Sequence, residues 1–485
     1  MRAVQKQFVT ASIVTAFMAS VFMASAAFAE GDMLSQAQNC WLLSSDERAC
    51  TLKPSEPTSV PALLIAGSAI EYVGGFRLPS ANFGNGTYSN HSYSPGPIAY
   101  NSSNNSLFTV SHAYEQGIGE FAIPAVSSST NPVDFATASV LQNFRSFHHD
   151  GSELTGIDSN FLVTGMTLVD GKLLVNYINW YDASGQERDT SVVFQDASDL
   201  ANSSIIGPFQ MHGAAHVAGW TTPIPSEWQD ELGGDYLAGH AHGSIVSRLA
   251  VGPPAFSLQI ADLVQAGEGG EISTTKLLDF DLANPLYDTQ IYDLTETPYS
   301  EIAYNEDGRN KLWTIISGAS YGFIVAGTGT YVTLGYAGGF HSGIGYKIVQ
   351  TDGTLCGGPC SYDPDDNYNH YWLWRVEDLV KVRNGELEPH DVRPYDYGVF
   401  DTLGNTARIK GAAYDSDHQR LYVSLENGDR IAAYSRPPLI LVYDIDINET
   451  VADPSESFDC FVIHTQNQST AVICLQFTDS SKSVR

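Results

Sequence analysis

Positive charge is scarce in this chain. Lys and Arg number 24 against 55 Asp and Glu, a formal net charge of −31 at pH 7, which excludes a broad basic face for nucleic acid. The same deficit removes long-range attraction for an anionic substrate, so any such substrate has to be held by a few local cations. In saline surroundings that restriction relaxes, because at roughly 0.5–1 M ionic strength the Debye length falls to about 3–4 Å and only contact charges matter. An acidic surface is therefore compatible with an acidic sugar polymer without being evidence for one.

Long apolar runs are missing as well, with one exception at the N-terminus. There Arg2 and Lys6 precede VTASIVTAFMASVFMA, which ends in the small-residue pattern Ala27-Phe28-Ala29. The run is short of the ~20 residues that a bilayer needs, and no second span follows. It reads as a secretory signal peptide over 1–29, cut before Glu30, which implies a secreted, extracellular or periplasmic protein. Cysteines are few, six in all, and fall as near pairs: Cys40 with Cys50, Cys356 with Cys360, Cys460 with Cys474. In an exported chain such pairs read first as disulfides. The outer two would staple an N-terminal extension (30–67) and a C-terminal extension (448–485), the latter read as an appended hairpin.

Helical apolar periodicity is also lacking, while aromatics, glycines and Asn-Gly or Asp-Gly turns are frequent; the composition is that of an all-β body. One phrase recurs: IAYNSSNNSLFTV at 98–110, IAYNEDGRNKLWTI at 302–315 and AAYDSDHQRLYVS at 412–424, with a looser copy, MTLVDGKLLVNYINW, at 166–180. Each has the form of two strands joined by a tight hairpin. The intervals approach multiples of about 50–55 residues, close to the blade period of propellers. The stretch 68–447 then predicts a β-propeller of roughly seven four-stranded blades, in preference to a parallel β-helix or paired sandwiches. A short helix is expected within EDLVKVRNG, closed by Gly385, after a strand carrying Trp372 and Trp374.

Propellers carry function on loops at one face, so unusual polar side chains at strand ends are the informative ones. His91 and His112 bracket one hairpin among Tyr88, Tyr93 and Tyr114, within reach of one ligand if both lie at the same sheet edge; structural histidines are the plainer alternative. LLVNYINWYD places Asn176, Tyr177, Trp180 and Tyr181 before a loop with Arg188, where packing aromatics and a surface ion pair are the plainer reading. A third cluster holds His212, His216, Tyr236, His240, His242 and Arg248. His240 and His242 share one strand face, a spacing that binds metal only with a third ligand.

The phrases HGAAHVAGWTTPIPSEWQDELGG, SIVSRLAVGPPAF and VEDLVKVRNGELEPHDVRPY resemble the seven-bladed β-propeller polysaccharide lyases that degrade ulvan, the sulfated uronic-acid polymer of green algae. The resemblance runs from about Gly74 to Asp446. It implies a catalytic domain cleaving an acidic sulfated polysaccharide by β-elimination, with His91, His112, Tyr177, Arg188 and Tyr236 as the site and Arg248 competing for the arginine's role. Elimination at a 4-linked uronide removes the C5 proton beside a carboxylate, so groups that neutralise the carboxylate stabilise the developing enolate. A histidine suits the base and a tyrosine the acid. The resemblance also implies a structural zinc, for which His341, Cys356, Cys360 and His370 have suitable spacing; a CGGPC disulfide explains the two cysteines equally well. A secreted monomeric lyase is thus expected. The rival from another class is a non-catalytic carbohydrate-binding or envelope propeller. A metal-dependent esterase is disfavoured, since no carboxylate cluster accompanies His91 or His112.

Overall fold

The computed structural model describes residues 63–148, 161–182, 184–241, 250–267 and 269–451, together with the backbone of an antiparallel pair, Phe458–His464 with Thr470–Gln476, in which Cys460 stands opposite Cys474. The signal-peptide and Cys40/Cys50 expectations lie outside these residues, as do His242 and Arg248. No helix among the described residues is long and apolar enough to cross a membrane.

Five antiparallel sheets make up the body. Blade 1 consists of Ile98–Asn101, Ser106–Val110, Ile118–Ala122 and Ser139–Arg145. Blade 2 holds Phe161–Val169, Lys172–Asn179, Ser191–Phe194 and Ile205–Met211, with Glu271–Ile272 added in parallel to its outer strand. Trp220–Pro223, Tyr236–Gly239, Ala255–Leu258 and Thr275–Leu278 form blade 3. Blade 4 is Gly318–Ile324, Thr330–Gly338, Asn367–Arg375 and Asp396–Val399. Blade 5 takes Ile409–Asp415, Arg420–Leu425 and Leu439–Ile445, and borrows its outer strand, Ile70–Arg77, from the start of the domain. The first strands of consecutive blades contact one another in turn, and that of blade 5 meets that of blade 1. The ring is therefore a closed five-bladed β-propeller, not the seven-bladed one that the repeat spacing suggested.

Local sequence explains the blades. Lys172–Asn179, KLLVNYIN, is buried throughout except at its two ends, because a blade packs on neighbours through both faces and needs a continuous apolar run instead of alternation. Asp170 and Gly171, at φ 49° and 76°, form the left-handed pair that a two-residue hairpin turn demands. The expected helix is present as Val376–Arg383, and Gly385 follows it at φ 74°.

The hairpins expected at 98–110, 166–180 and 412–424 are the inner pairs of blades 1, 2 and 5. The copy at 302–315 is not a hairpin. Its first residues end a helix, Tyr299–Tyr304, capped by Asn305 in the left-handed region at φ 50°. Buried Asn310 then donates to the carbonyls of Ile302 and Trp313, and Asn305 donates to those of Asn310 and Gly339. Two asparagine amides thus supply the partners that a neighbouring strand would have provided. Together with the connection 339–366, which carries its own small hairpin Ile344–Tyr346 with Pro359–Ser361, such segments occupy the length that the repeat arithmetic assigned to extra blades.

Strands approach so closely, within a blade and between blades, that several positions admit no side chain. A Cβ at Gly165 would fall on the carbonyl oxygen of Gly219, and one at Gly335 on that of Gly318. Between the five inner strands remains an axial cavity of about 10 Å³, lined by Ile98, Thr164, Met166, Trp220, Tyr321 and Ala412 among others, about the room that one water needs. Gly165→Ala is expected to cost at least about 1–3 kcal/mol through overpacking, read as a lowered thermal midpoint; an unchanged midpoint would show that the blades separate readily there.

Candidate functional site

In every blade the chain runs out along the first strand and back along the second. The loop between second and third strands therefore emerges at the same end as the connection that enters the next blade. Among the described residues this loop face collects 78–97, 111–117, 180–182, 184–190, 212–219, 240–241, 250–254, 279–317, 339–366, 400–408 and 426–438. It gathers His91, His112, Arg188, His212, His216, His240 and His341, with Tyr177 and His370 near the adjoining strand ends. Tyr236 is the exception. It begins the second strand of blade 3, opposite Pro223, and so sits at the other end of the barrel. There burial, with Asp235 and Asp170 beside it, pushes its phenol up to about 12. It is separated from the rest of the expected site.

Sharing a face does not make the remaining residues equivalent. His91 is fully buried, with Nδ1 2.8 Å from the Pro79 carbonyl oxygen and Nε2 2.9 Å from Thr109 Oγ1. Its ring packs on Phe121 and Phe144. Burial lowers its pKa to about 4, and with both nitrogens engaged it offers none to a substrate, contrary to its expected role. The Tyr177 ring is buried between Phe147 and Phe161. Its hydroxyl finds no partner among the described residues, and burial, with Asp189 and Glu187 adding to it, drives the phenol far above its ordinary value. Arg188 is exposed and spends one guanidinium nitrogen on the carbonyls of Gly185 and Glu187 in its own loop.

His112 stands differently. Tyr88, Tyr93 and Tyr114 surround it with ring centroids 4.8, 5.6 and 4.7 Å away. Its Nδ1 accepts the Tyr114 backbone N–H at 3.1 Å, so the neutral ring carries its proton on Nε2. Burial lowers its pKa, opposed by Glu115. In this tautomer His112 is a hydrogen-bond donor and not a base. Across the face, Tyr336 lies beneath two cations, with Arg408 Cζ and Lys410 Nζ each 4.7 Å from its ring centroid. Neither cation makes an ion pair among the described residues. That cluster joins residues 72 and 74 positions apart, and nothing in the sequence pattern marks it.

Cys356 and Cys360 are bonded to each other, so both sulfurs are consumed. His370 is buried against Trp372 and Phe340, its pKa lowered by burial to about 3, while His341 is exposed with its Nδ1 3.5 Å from Lys311 Nζ. As folded, these four residues do not offer a zinc-ligand set. No group of three or more His, Cys, Asp or Glu among the described residues is placed to hold a metal.

The class that this geometry defines is a five-bladed β-propeller with its chemistry gathered on one loop face. No family model matches the chain, and no curated protein matches it. Among solved structures it is similar to a glycosyl hydrolase from Bacteroides ovatus (9% identity, TM-score 0.35, covering 80% of this chain and 92% of that one). A luciferin-regenerating enzyme (8%, 0.30, 79% and 95%) and the PQQ domain of a pyranose dehydrogenase from Coprinopsis cinerea (10%, 0.22, 80% and 98%) are similar at the same level. None of the three is an ulvan lyase. Likeness at this level says nothing of activity, and the propeller assignment rests on strand pairing.

The depressed pKa of His91 has a consequence for stability. Between its ordinary value of 6.5 and about 4, the unfolded chain binds a proton that the folded chain refuses. Stability therefore falls as pH drops through that window, by about 3 kcal/mol in all, and is unaffected by this group above it. His91→Gln is expected to be less stable than the parent at neutral pH, by about 1–3 kcal/mol for the lost buried hydrogen bonding, and to show a shallower loss across the window. Denaturant titrations on either side of it measure both; parallel curves for parent and variant would remove His91 as the acid-sensitive group.

Proposed function

We propose that this protein binds an extended polysaccharide across its loop face. The observation that carries the reading is the placement of aromatic side chains. Among the described residues, the exposed ones are Tyr88, Tyr114, Trp180, Tyr181, Tyr346, Tyr362 and Tyr434, and every one lies in a loop of that face. Scattered exposed apolar residues are ordinary; confinement of the aromatic ones to one end of a closed barrel is a selective placement. The C–H faces of pyranose rings pack on aromatic rings while sugar hydroxyls reach the polar edges, the same amphipathic use that makes Tyr and Trp contact residues elsewhere. Tyr88 and Tyr114 meet edge to face at 5.1 Å beside His112, giving a platform braced by its own packing.

A second reading, β-elimination on an acidic polysaccharide such as ulvan, has its own support. Arg408 and Lys410 can neutralise a carboxylate, and His112 offers an N–H beside the aromatic platform. Hydrolysis by paired carboxylates is less well served. Asp366 already accepts the backbone N–H groups of Phe340, His341 and Ser342. Asp429 is paired to Arg77, and Glu115 accepts the Tyr88 N–H and the Ser89 hydroxyl.

Replacing Tyr114 or Trp180 by Ala should weaken polysaccharide binding by about 0.5–1.5 kcal/mol each, the range for aromatic contacts, at unchanged thermal stability, as read by calorimetry or affinity electrophoresis. Binding indifferent to both substitutions would move the glycan off this face. Incubation with ulvan, followed through the ultraviolet absorbance of unsaturated uronate ends, tests the second reading.

A further inference from the structure

His216 lies in the connection 212–219 on the loop face, within the short turn Ala214–His216. Its Nδ1 is 2.7 Å from Asp279 Oδ1, and the other carboxylate oxygen of Asp279 is 2.6 Å from Lys276 Nζ. Burial would raise the Asp279 carboxyl, but hydrogen bonds and charge from His216 and Lys276 hold it below the usual carboxylate range. The ionised oxygen can only accept, so Nδ1 carries a proton, and in the neutral ring it is Nε2 that keeps the lone pair. Nε2 makes no hydrogen bond among the described residues, and the side chain retains 16% of its surface. The backbone is fixed too: the His216 carbonyl oxygen accepts the His240 N–H at 2.9 Å. In its neutral form this is the opposite tautomer from that of His112, and it leaves Nε2 as the acceptor of a ring that a positioned carboxylate holds from behind.

We propose that His216, oriented by Asp279, is the proton-abstracting base of this face, acting on a uronate-containing glycan; the inference rests on the glycan reading above. In that step Nε2 takes the C5 proton and the C5–H pair becomes the C4–C5 double bond. The C4–O4 bond breaks with its electrons going to O4, which is protonated by water or by the imidazolium as it returns to neutrality. The unsaturated uronate and a free sugar hydroxyl are the products, with no oxidant or co-reactant required. Asp279 is a positioning residue: it fixes the ring and stabilises the imidazolium without touching the sugar.

The test uses the full chain with ulvan and polygalacturonate as acidic probes and laminarin as a neutral one. Long-range proton–nitrogen NMR should find His216 protonated at Nδ1, and Asp279→Asn should move that proton toward Nε2. His216→Gln should retain glycan binding and lower the release of unsaturated ends by roughly 10² or more, the scale of general-base contributions; Asp279→Asn should lower turnover with the fold retained by circular dichroism. Wild-type turnover by His216→Gln overturns the proposal, as does a wild-type protein that binds the acidic polymers and releases no unsaturated ends, and both outcomes leave glycan binding standing. Failure to bind any of the polymers overturns the glycan reading and this inference together.

Discussion

Everything in this molecule depends on one pairing, the antiparallel closure of Ile70–Arg77 against Leu439–Ile445. The last blade obtains its fourth strand only from the start of the domain, so backbone hydrogen bonds hold the two ends of the ring together. Here the seam is also tied by Arg77, whose Nε and Nη2 donate to the two oxygens of Asp429 at 2.7 and 3.1 Å. The bidentate fork fixes the 426–438 loop to the closing strand. With five blades the first strand of blade 2 lies so close to the start of blade 3 that Gly165 faces the Gly219 carbonyl oxygen, and the axis holds a cavity of about 10 Å³. A polymer cannot thread it. A bound polymer would have to lie outside the axis, and the exposed aromatic side chains among the described residues all lie at one end of the ring.

The histidines show how little a residue type says about its use until its partners are fixed. His91 is a buried core group with two hydrogen bonds; His112 accepts at Nδ1 and presents a donor; His216 is held at Nδ1 by a carboxylate and presents an acceptor. All three sit on the same face and in similarly aromatic or glycine-rich sequence. Only the groups that hold each ring nitrogen separate them, and for His216 that group is Asp279, 63 positions away, on the far side of a whole blade.

This sets the limit of what the sequence displays. The paired strands around Asp170-Gly171 were legible because the turn chemistry is local, and so was the Val376–Arg383 helix, whose capping and periodicity lie within ten or so residues. The phrase at 302–315 misleads for the complementary reason. It has the composition of a hairpin, but Asn305 and Asn310 satisfy its backbone internally, which no strand template registers. Blade number failed with it, since long connections and blades consume sequence at the same rate. The aromatic and histidine content of the loop face was readable as a list of residues. Its division into core, donor and acceptor was not, because each assignment depends on contacts across blades; Tyr236, placed by its strand register at the opposite end, is the plainest case.

Net charge then decides how such a face can hold an acidic polymer. At −31 overall, the long-range field repels a polyanion, and only close contacts in a screened medium can outweigh it. Stacking on tyrosine and tryptophan is indifferent to that field. Arg408 and Lys410 act at contact distance around Tyr336, where salt screens least effectively. A surface built from aromatics with a few cations outside ion pairs among the described residues is the arrangement by which an acidic protein can bind an acidic glycan without electrostatic steering. Its affinity should be weakly dependent on salt beyond the range where the long-range repulsion is already screened, unlike that of a basic groove, whose binding falls continuously as salt rises.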